Sequence, residues 1–343
     1  MITLKELADR CGVSTATVSN AINGKSNISE TTKQRILQMI KETGYKPNFM
    51  ARTLRVNSKR TIGLVIEELA AFSSAPIIEG IMRYFEEQKY ETILYNMRVY
   101  SNPNWMNDED FVQTCVNNAV EELLSKQVNG IIHVAEHSRK LKYYNENLPV
   151  PVVISYAYPD ERKLPYVSID DNSSTAKMAE YILSKGHKKI AMICGSKDNL
   201  HAEKRCNSFK RVLKEHGVPL DENLCVYANW TRETGKAAAA KVLKKGVSAV
   251  FCHNDFIAAG VYDYLYEKNL QPGKDLLVTG FDDHIISSFL HPEITTMKLP
   301  LLEIGEKSAE LMDNLLENDS TCTEGFEIPC ELILRGILSC CTT

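Results

Sequence analysis

Two sets of side chains in this 343-residue chain have types and spacings that can do chemistry. The first is Thr15, Ala16, Thr17, Ser19 and Asn20, small and uncharged residues within one short stretch. Hydroxyl and amide groups of this size present donors and acceptors that match base edges in a nucleic-acid groove. The second is a pair, Arg205 and Asp282, each following an apolar run of strand length. An arginine fork and a carboxylate facing one cleft clamp the hydroxyls of a polyol. Trp230, one of two tryptophans, also follows such a run, where it either stacks on a sugar or base face or serves as an ordinary lobe-interface aromatic. Asn254-Asp255 starts a helix after a buried run, so Asp255 can be its N-cap and Asn254 can face either way.

The elements that position the first set are legible locally. Residues 3–11 carry Leu4, Leu7 and Ala8 at helical spacing, Gly12 suits a left-handed stop, and Ser14 suits an N-cap. In the next helix Val18 and Ile22 turn inward, which leaves the polar set outward. A third helix starts at Ser29, buries Ile36 and Ile40, and stops at Gly44. Two helices joined by a glycine turn make a helix-turn-helix, whose second helix enters the major groove. Charge supports this: residues 1–60 carry eleven Lys/Arg against four Asp/Glu, net +7, and the remainder carries 29 against 40, net −11. A basic head on an acidic body is the asymmetry of a nucleic-acid-binding arm.

The blocks Ile2-Thr3-Leu4-Lys5-Glu6-Leu7-Ala8, Gly12 to Ser19, Gly44-Tyr45-Lys46-Pro47-Asn48 and Ala51-Arg52-Thr53-Leu54 resemble the head of the lactose/galactose repressor family. The resemblance implies a hinge helix after the third helix that pairs with its dimer mate in the minor groove, where Leu54 wedges between base pairs. Leu54 sits among Arg52, Arg55, Lys59 and Arg60, a sensible setting for an apolar wedge. The resemblance continues through Val167-Ser168-Ile169-Asp170-Asp171-Asn172, Phe251-Cys252-His253-Asn254-Asp255, Gly280-Phe281-Asp282-Asp283 and Pro292-Glu293-Ile294-Thr295-Thr296. It implies a body similar to periplasmic sugar-binding proteins and a dimer whose cleft binds a small effector linked reciprocally to DNA affinity. Arg205 and Asp282 match family residues that hold the ligand. Ser73 and Ser74 stand where the family often has aromatics that stack on it, and Asn199 and His201 stand where purine-binding members have an arginine and a threonine. These departures favour a sugar or sugar derivative over a purine.

The body shows the alternation of a parallel sheet covered by helices. After a polar linker at 57–61, strands are expected at Thr61–Ile66, Glu91–Asn96, Gly130–Val134, 151–155, 167–170, Ile190–Cys194, 224–227, Ala249–Cys252 and 276–280. Helices are expected near 77–88, 110–126, 173–185, 203–216, 233–244, 255–268 and 300–317, with a short one between 134 and 151, a surface loop at 99–107 and a last strand at 327–335. The domains are then a helix-turn-helix head (1–46), a hinge and linker (47–60), and an effector-binding and dimerisation body (61–343). The body is a two-lobed α/β structure, with an N-lobe near 61–158 plus 290–320 and a C-lobe near 159–289 plus 321–343.

Other chemistries find little support. Gly24-Lys25-Ser26 lacks the preceding glycine of a phosphate-binding loop, since Ser19 stands in its place. Asp282-Asp283-His284 has no second histidine at ligand spacing, no Gly-x-Ser-x-Gly elbow occurs, and His133 and His253 suit polar lining better than catalysis. The ten cysteines are scattered without a C-x-x-C pair; only Cys340 and Cys341 adjoin. Free thiols in a reducing cytoplasm are expected, with no metal and no cofactor. No apolar run approaches a membrane span and no secretory h-region opens the chain, so a cytoplasmic protein is expected. Seven residues after Gly336 are too few for a tetramerising helical tail, which favours a dimer. The expected function is a small-molecule-responsive repressor on a near-palindromic operator; the alternatives are a non-regulatory sugar-binding protein and an α/β enzyme carrying a DNA-binding head.

Overall fold

Leu7, Ala8 and Cys11 line one side of the first helix, α1 (Leu4–Cys11), and bury against Val18 and Ala21 of α2 (Thr15–Ile22) and Ile36 of α3 (Glu30–Thr43). The turn between α1 and α2 follows from two residues. Gly12 takes φ +60°, a region costly for any residue with a Cβ, and the Ser14 hydroxyl accepts from the Thr17 amide at 3.1 Å. Ser29 repeats this cap for α3, accepting from the Thr32 amide at 3.3 Å. The structure is a computed structural model that describes residues 4–22, 28–43, 60–144, 148–160, 164–197, 199–318 and 325–336. The chain divides between residues 59 and 60 into two units, the helical head and the α/β body. The hinge segment with Leu54 and Arg55, and the side chains of Ala16 and Asn20, lie outside the described residues.

In the body the strands are β1 (Thr61–Ile66), β2 (Glu91–Asn96), β3 (Gly130–Val134), β4 (Lys140–Leu141), β5 (Val152–Ser155), β6 (Tyr158–Pro159) and β7 (Tyr166–Asp170). Then come β8 (Ile190–Cys194), β9 (Cys225–Tyr227), β10 (Ala249–Cys252), β11 (Leu277–Thr279), β12 (Thr296–Lys298), β13 (Gly325–Pro329) and β14 (Glu331–Ile333). Between them run α4 (Ser74–Glu87), α5 (Glu109–Ser125), α6 (Asp171–Ser184), α7 (Leu200–Glu215), α8 (Arg232–Val242), α9 (Asp255–Glu267), α10 (Ile286–Phe289) and α11 (Leu301–Asn318). Two all-parallel sheets result, ordered β13-β7-β5-β3-β1-β2 and β11-β10-β8-β9. Strands β1, β3, β5, β8 and β10 are buried along their whole length, because helices cover both faces of a parallel sheet. Among the described residues no helix is long and apolar enough to cross a membrane.

Four expectations are corrected. Strand 166–170 and strand 325–329, expected in the C-lobe, both pair in the first sheet, so the chain crosses between lobes after β7 rather than near residue 158. The last strand is broken: the Cys330 amide donates to the Ser174 hydroxyl at 2.8 Å instead of a ladder partner, and β14 turns to pair antiparallel with β12. No helix occurs among the described residues between β3 and β5, where β4 instead pairs with β6. The segment 99–107 is not a plain surface loop, since its two short 3-10 turns bury Val99 and Trp105 in the core beneath α5.

Candidate functional site

Every body residue with expected ligand chemistry lies at or beyond the carboxyl end of a strand. Ser73 and Ser74 follow β1, Asn199, His201 and Arg205 follow β8, Trp230 follows β9, Asn254 follows β10, and Asp282 follows β11. That is where open parallel sheets bind ligands. The two sets of strand ends also meet: Phe72 after β1 packs edge-on against His284 after β11 with ring centroids 5.7 Å apart, and Tyr156 after β5 faces His201 at 5.5 Å.

The best-connected group centres on Asp171, the first residue of α6. Arg205 Nε–H donates to Asp171 Oδ1 at 2.8 Å, and His201 Nδ1 meets Oδ2 at 2.5 Å. A second guanidinium arm donates to the His253 carbonyl at 2.5 Å and passes 3.7 Å from Asp282 Oδ1. The guanidinium also lies over the Phe281 ring, 3.6 Å from its centroid. Burial alone pushes Asp171 up, but His201 and Arg205 outweigh it and hold the carboxyl below its ordinary range. Asp282 goes the other way. Its burial, with the negative charge of Asp171 adding and Arg205 opposing, raises it from 3.8 to about 7. Asp282 has φ 108°, and Tyr156 and Trp230 also have positive φ, at 68° and 61°. Backbone held in such conformations at one place marks strain retained at a site.

Two ring nitrogens here lack partners among the described residues: Nε2 of His201 and Nε2 of His253, both buried. Their protonation follows from their neighbours. Burial lowers His201 despite Asp171, so the ring is neutral; with its Nδ1–H given to Asp171, its Nε2 is an acceptor. Burial, with Arg205 adding, lowers His253 to about 3, and its Nδ1 accepts the Gly195 amide at 3.3 Å, so its Nε2 carries the hydrogen and is a donor. A buried unpaired donor or acceptor costs about 1–3 kcal/mol. A hydroxyl, which both donates and accepts, satisfies both kinds of group.

The other expected residues are placed differently. Ser73 donates to the Glu136 carbonyl at 3.2 Å and Ser74 to the Glu68 carbonyl at 2.7 Å, so both hydroxyls fix the loop at the start of α4. Asn199 caps α7 by accepting from the Ala202 amide at 3.2 Å. Asn254, rather than Asp255, caps α9: its oxygen accepts from Ile257 at 2.8 Å and its nitrogen donates to the Trp230 carbonyl at 3.1 Å. Asp255 instead accepts from the His284 amide at 2.8 Å and the Thr296 hydroxyl at 2.7 Å, tying the Asp282 loop to β12. Trp230 packs its six-membered ring on Gly195, where any Cβ would stand 1.9 Å from Cζ2.

The first-sheet side holds a network that spacing alone did not reveal. Glu67, fully buried, accepts both arms of Arg139 at 2.5 and 2.7 Å, the Glu136 amide at 2.8 Å, and meets His133 Nε2 at 2.9 Å. Burial pushes Glu67 up, yet Arg139 and His133 overcome this and bring it to about 2. Arg139 also lies over Trp105, 4.9 Å from the ring centroid, and Trp105 packs on His137. Burial, Arg139 and the facing His201 hold His137 down to about 3. The signal available in the sequence was the unusual Glu67-Glu68 pair directly after an apolar strand.

In the head, Thr15 and Thr17 are half-buried on α2, and Thr17 Oγ1 lies 2.9 Å from Ser14 Oγ within the cap.

Residues 3–48 match the family profile described as "Bacterial regulatory proteins, lacI family", and residues 179–336 match "Periplasmic binding protein-like domain". Catabolite control protein A of Priestia megaterium is 28% identical over 342 residues, covering 97% of this chain and 98% of that protein. The HTH-type transcriptional repressor PurR of Vibrio atlanticus is 28% identical over 343 residues, covering 98% of each. The lac repressor dimer bound to operator and the anti-inducer ONPF has the same fold, with a TM-score of 0.79 at 23% identity over 97% of this chain and 98% of that one.

Proposed function

Because the chain belongs to the lactose/galactose repressor family of bacterial regulators, we propose that it is a cytoplasmic, homodimeric repressor switched by a sugar or sugar derivative. The head reads a near-palindromic operator through Thr15, Ala16, Thr17 and Asn20 in the major groove, with Leu54 wedged and Arg55 held in the minor groove. The relatives are named as regulators rather than enzymes.

The observation that carries the effector class is the acceptor at His201 Nε2 and the donor at His253 Nε2, both buried, unpaired and beside Arg205. A polyol supplies hydroxyls to both, and Arg205 with Asp282 fixes a further pair. Ser73, Ser74, Asn199 and Asn254 act chiefly by shaping the loops around the ligand, and Trp230 offers an indole face beside His253, 6.4 Å between rings. Effector binding alters how the two lobes meet, and the hinge carries that change to the DNA; the coupling is reciprocal.

The test is thermal unfolding of the full-length protein against sugars, sugar phosphates, uronates and nucleobases. A ligand at a hundredfold excess over its Kd stabilises the native state by about 2.7 kcal/mol. A carbohydrate hit supports the proposal. A nucleobase as the only hit overturns the effector class and leaves the DNA-binding role in place.

A further inference from the structure

We propose that Cys194, Cys206 and Cys225 form a binding site for a thiophilic metal cation of the Zn2+ class. The three Sγ atoms lie within 4.8 Å of one another, and those of Cys194 and Cys225 are 3.5 Å apart. Tetrahedral zinc bonded to sulfur at about 2.3 Å places its sulfur ligands about 3.8 Å from each other, so small side-chain adjustments close the site.

The convergence is built by the fold. In the β8–β9 register Cys194 lies opposite Tyr227 and Cys225 opposite Met192, which puts both cysteines on the same face of the sheet. Helix α7 covers that face and supplies Cys206 from its second turn. Three separate elements, distant in sequence, therefore deliver one thiol each to one point. All three ligands are soft sulfur donors, the set that selects zinc or monovalent copper over hard cations.

Charge and access fit a cation with thiolate ligands. The Lys210 ammonium, paired with Glu222 at 2.7 Å, is the nearby cation acting on Cys206 and Cys225. Strand β9 is the edge of its sheet, Cys225 is partly exposed and Tyr227 beside it is exposed, which gives an ion a way in and leaves a fourth position for water.

Cys206 directly follows Arg205 on α7, so a bound ion fixes the turn that carries the guanidinium. The site itself does not depend on the identity of the effector.

The experiment titrates Co2+ into reduced, chelator-stripped, full-length protein and follows the thiolate-to-cobalt charge-transfer absorption, with Zn2+ then added in competition. One equivalent of Co2+ producing the band, and Zn2+ abolishing it, is expected. Cys206→Ser and, separately, Cys225→Ser lose the band or weaken Co2+ binding at least tenfold while keeping the far-UV spectrum. Cys115→Ser and the double variant Cys340→Ser, Cys341→Ser retain it. No band in the parent protein, or a band kept in both site variants, overturns the proposal. So does a Cys194–Cys225 disulfide formed in air where the reduced protein takes up no metal. If Cys206→Ser fails to fold, the partly exposed Cys225 still decides the matter.

Discussion

Arg205 and Asp171 face each other through Nε and Oδ1 at 2.8 Å, with side chains only 3% and 0% exposed. Each charge is tolerable in the interior because the other is there, with the His253 carbonyl accepting from a second arm of Arg205 and His201 holding the other oxygen of Asp171. Arg205→Ala leaves Asp171 as a buried charge without its main partner. The expected loss of stability is about 3–5 kcal/mol in urea unfolding. A loss below about 1 kcal/mol, the range of exposed pairs, would contradict a buried network.

Effector affinity should carry a step near neutral pH. Around Asp282 stand Arg205, Asp171, Tyr156 and Asp255. Burial holds Tyr156 and Asp255 well above their usual ranges, His201 and Arg205 hold Asp171 low, and Asp282, at about 7, titrates near neutrality. Ligand hydroxyls donate better to its ionised form, so affinity for a neutral polyol rises as pH passes upward through about 7. The folded protein retains this proton between 3.8 and about 7, so Asp282 itself costs stability as pH rises through that window. Calorimetric titration across this range shows the step in the parent and none in Asp282→Asn; a step of equal size in the variant would remove Asp282 from the site.

Acid should act on Glu67 in the opposite sense. Its carboxyl is lowered from 4.5 to about 2, so its stabilising contribution is complete above the unfolded value and disappears as pH falls from there towards 2. A shift of this size corresponds to stabilisation on the order of 3 kcal/mol at neutral pH. Glu67→Gln should lower stability at pH 7 and flatten its acid dependence, read by denaturant unfolding at successive pH values. An unchanged acid limb would mean that Arg139 and His133 do not hold this carboxylate.

Much of this was legible in the sequence, and the gaps have physical causes. The head was readable because its signals are local: Gly12, Ser14 and Ser29 act within one turn of their own helix. Strands β1, β3, β8 and β10 were readable as apolar runs because both faces are covered. What local pattern does not encode is which strand pairs with which. Strand β7 reads as the start of a second lobe, yet it lies inside the first sheet between β13 and β5. The Glu67–Arg139 pair spans 72 positions and the three cysteines come from three elements, so spacing rules had nothing to detect. Trp105 lay in a polar stretch, and only the tertiary fold turns it inward.

For the head, if residue 20 reads a base, asparagine there should pair with adenine where arginine would pair with guanine, so an A·T preference is expected at that base pair. Asn20→Arg should shift a randomised-operator selection towards G·C there, and an unshifted preference would mean that residue 20 does not read the base. Leu54→Ala should lose DNA bending and affinity while keeping effector binding; undiminished bending would remove Leu54 as the wedge.

The most direct test of the account measures operator affinity of the full-length protein with and without the carbohydrate identified by thermal shift, at fixed salt. A coupling of 1–3 kcal/mol is typical, so the ligand should change the operator Kd by about five- to 150-fold, and operator should change ligand affinity by the same factor. Arg205→Lys, which keeps the charge and loses the fork, should weaken ligand binding and with it the ligand's effect on DNA. A carbohydrate that binds the body tightly yet leaves the operator Kd unchanged would contradict the account.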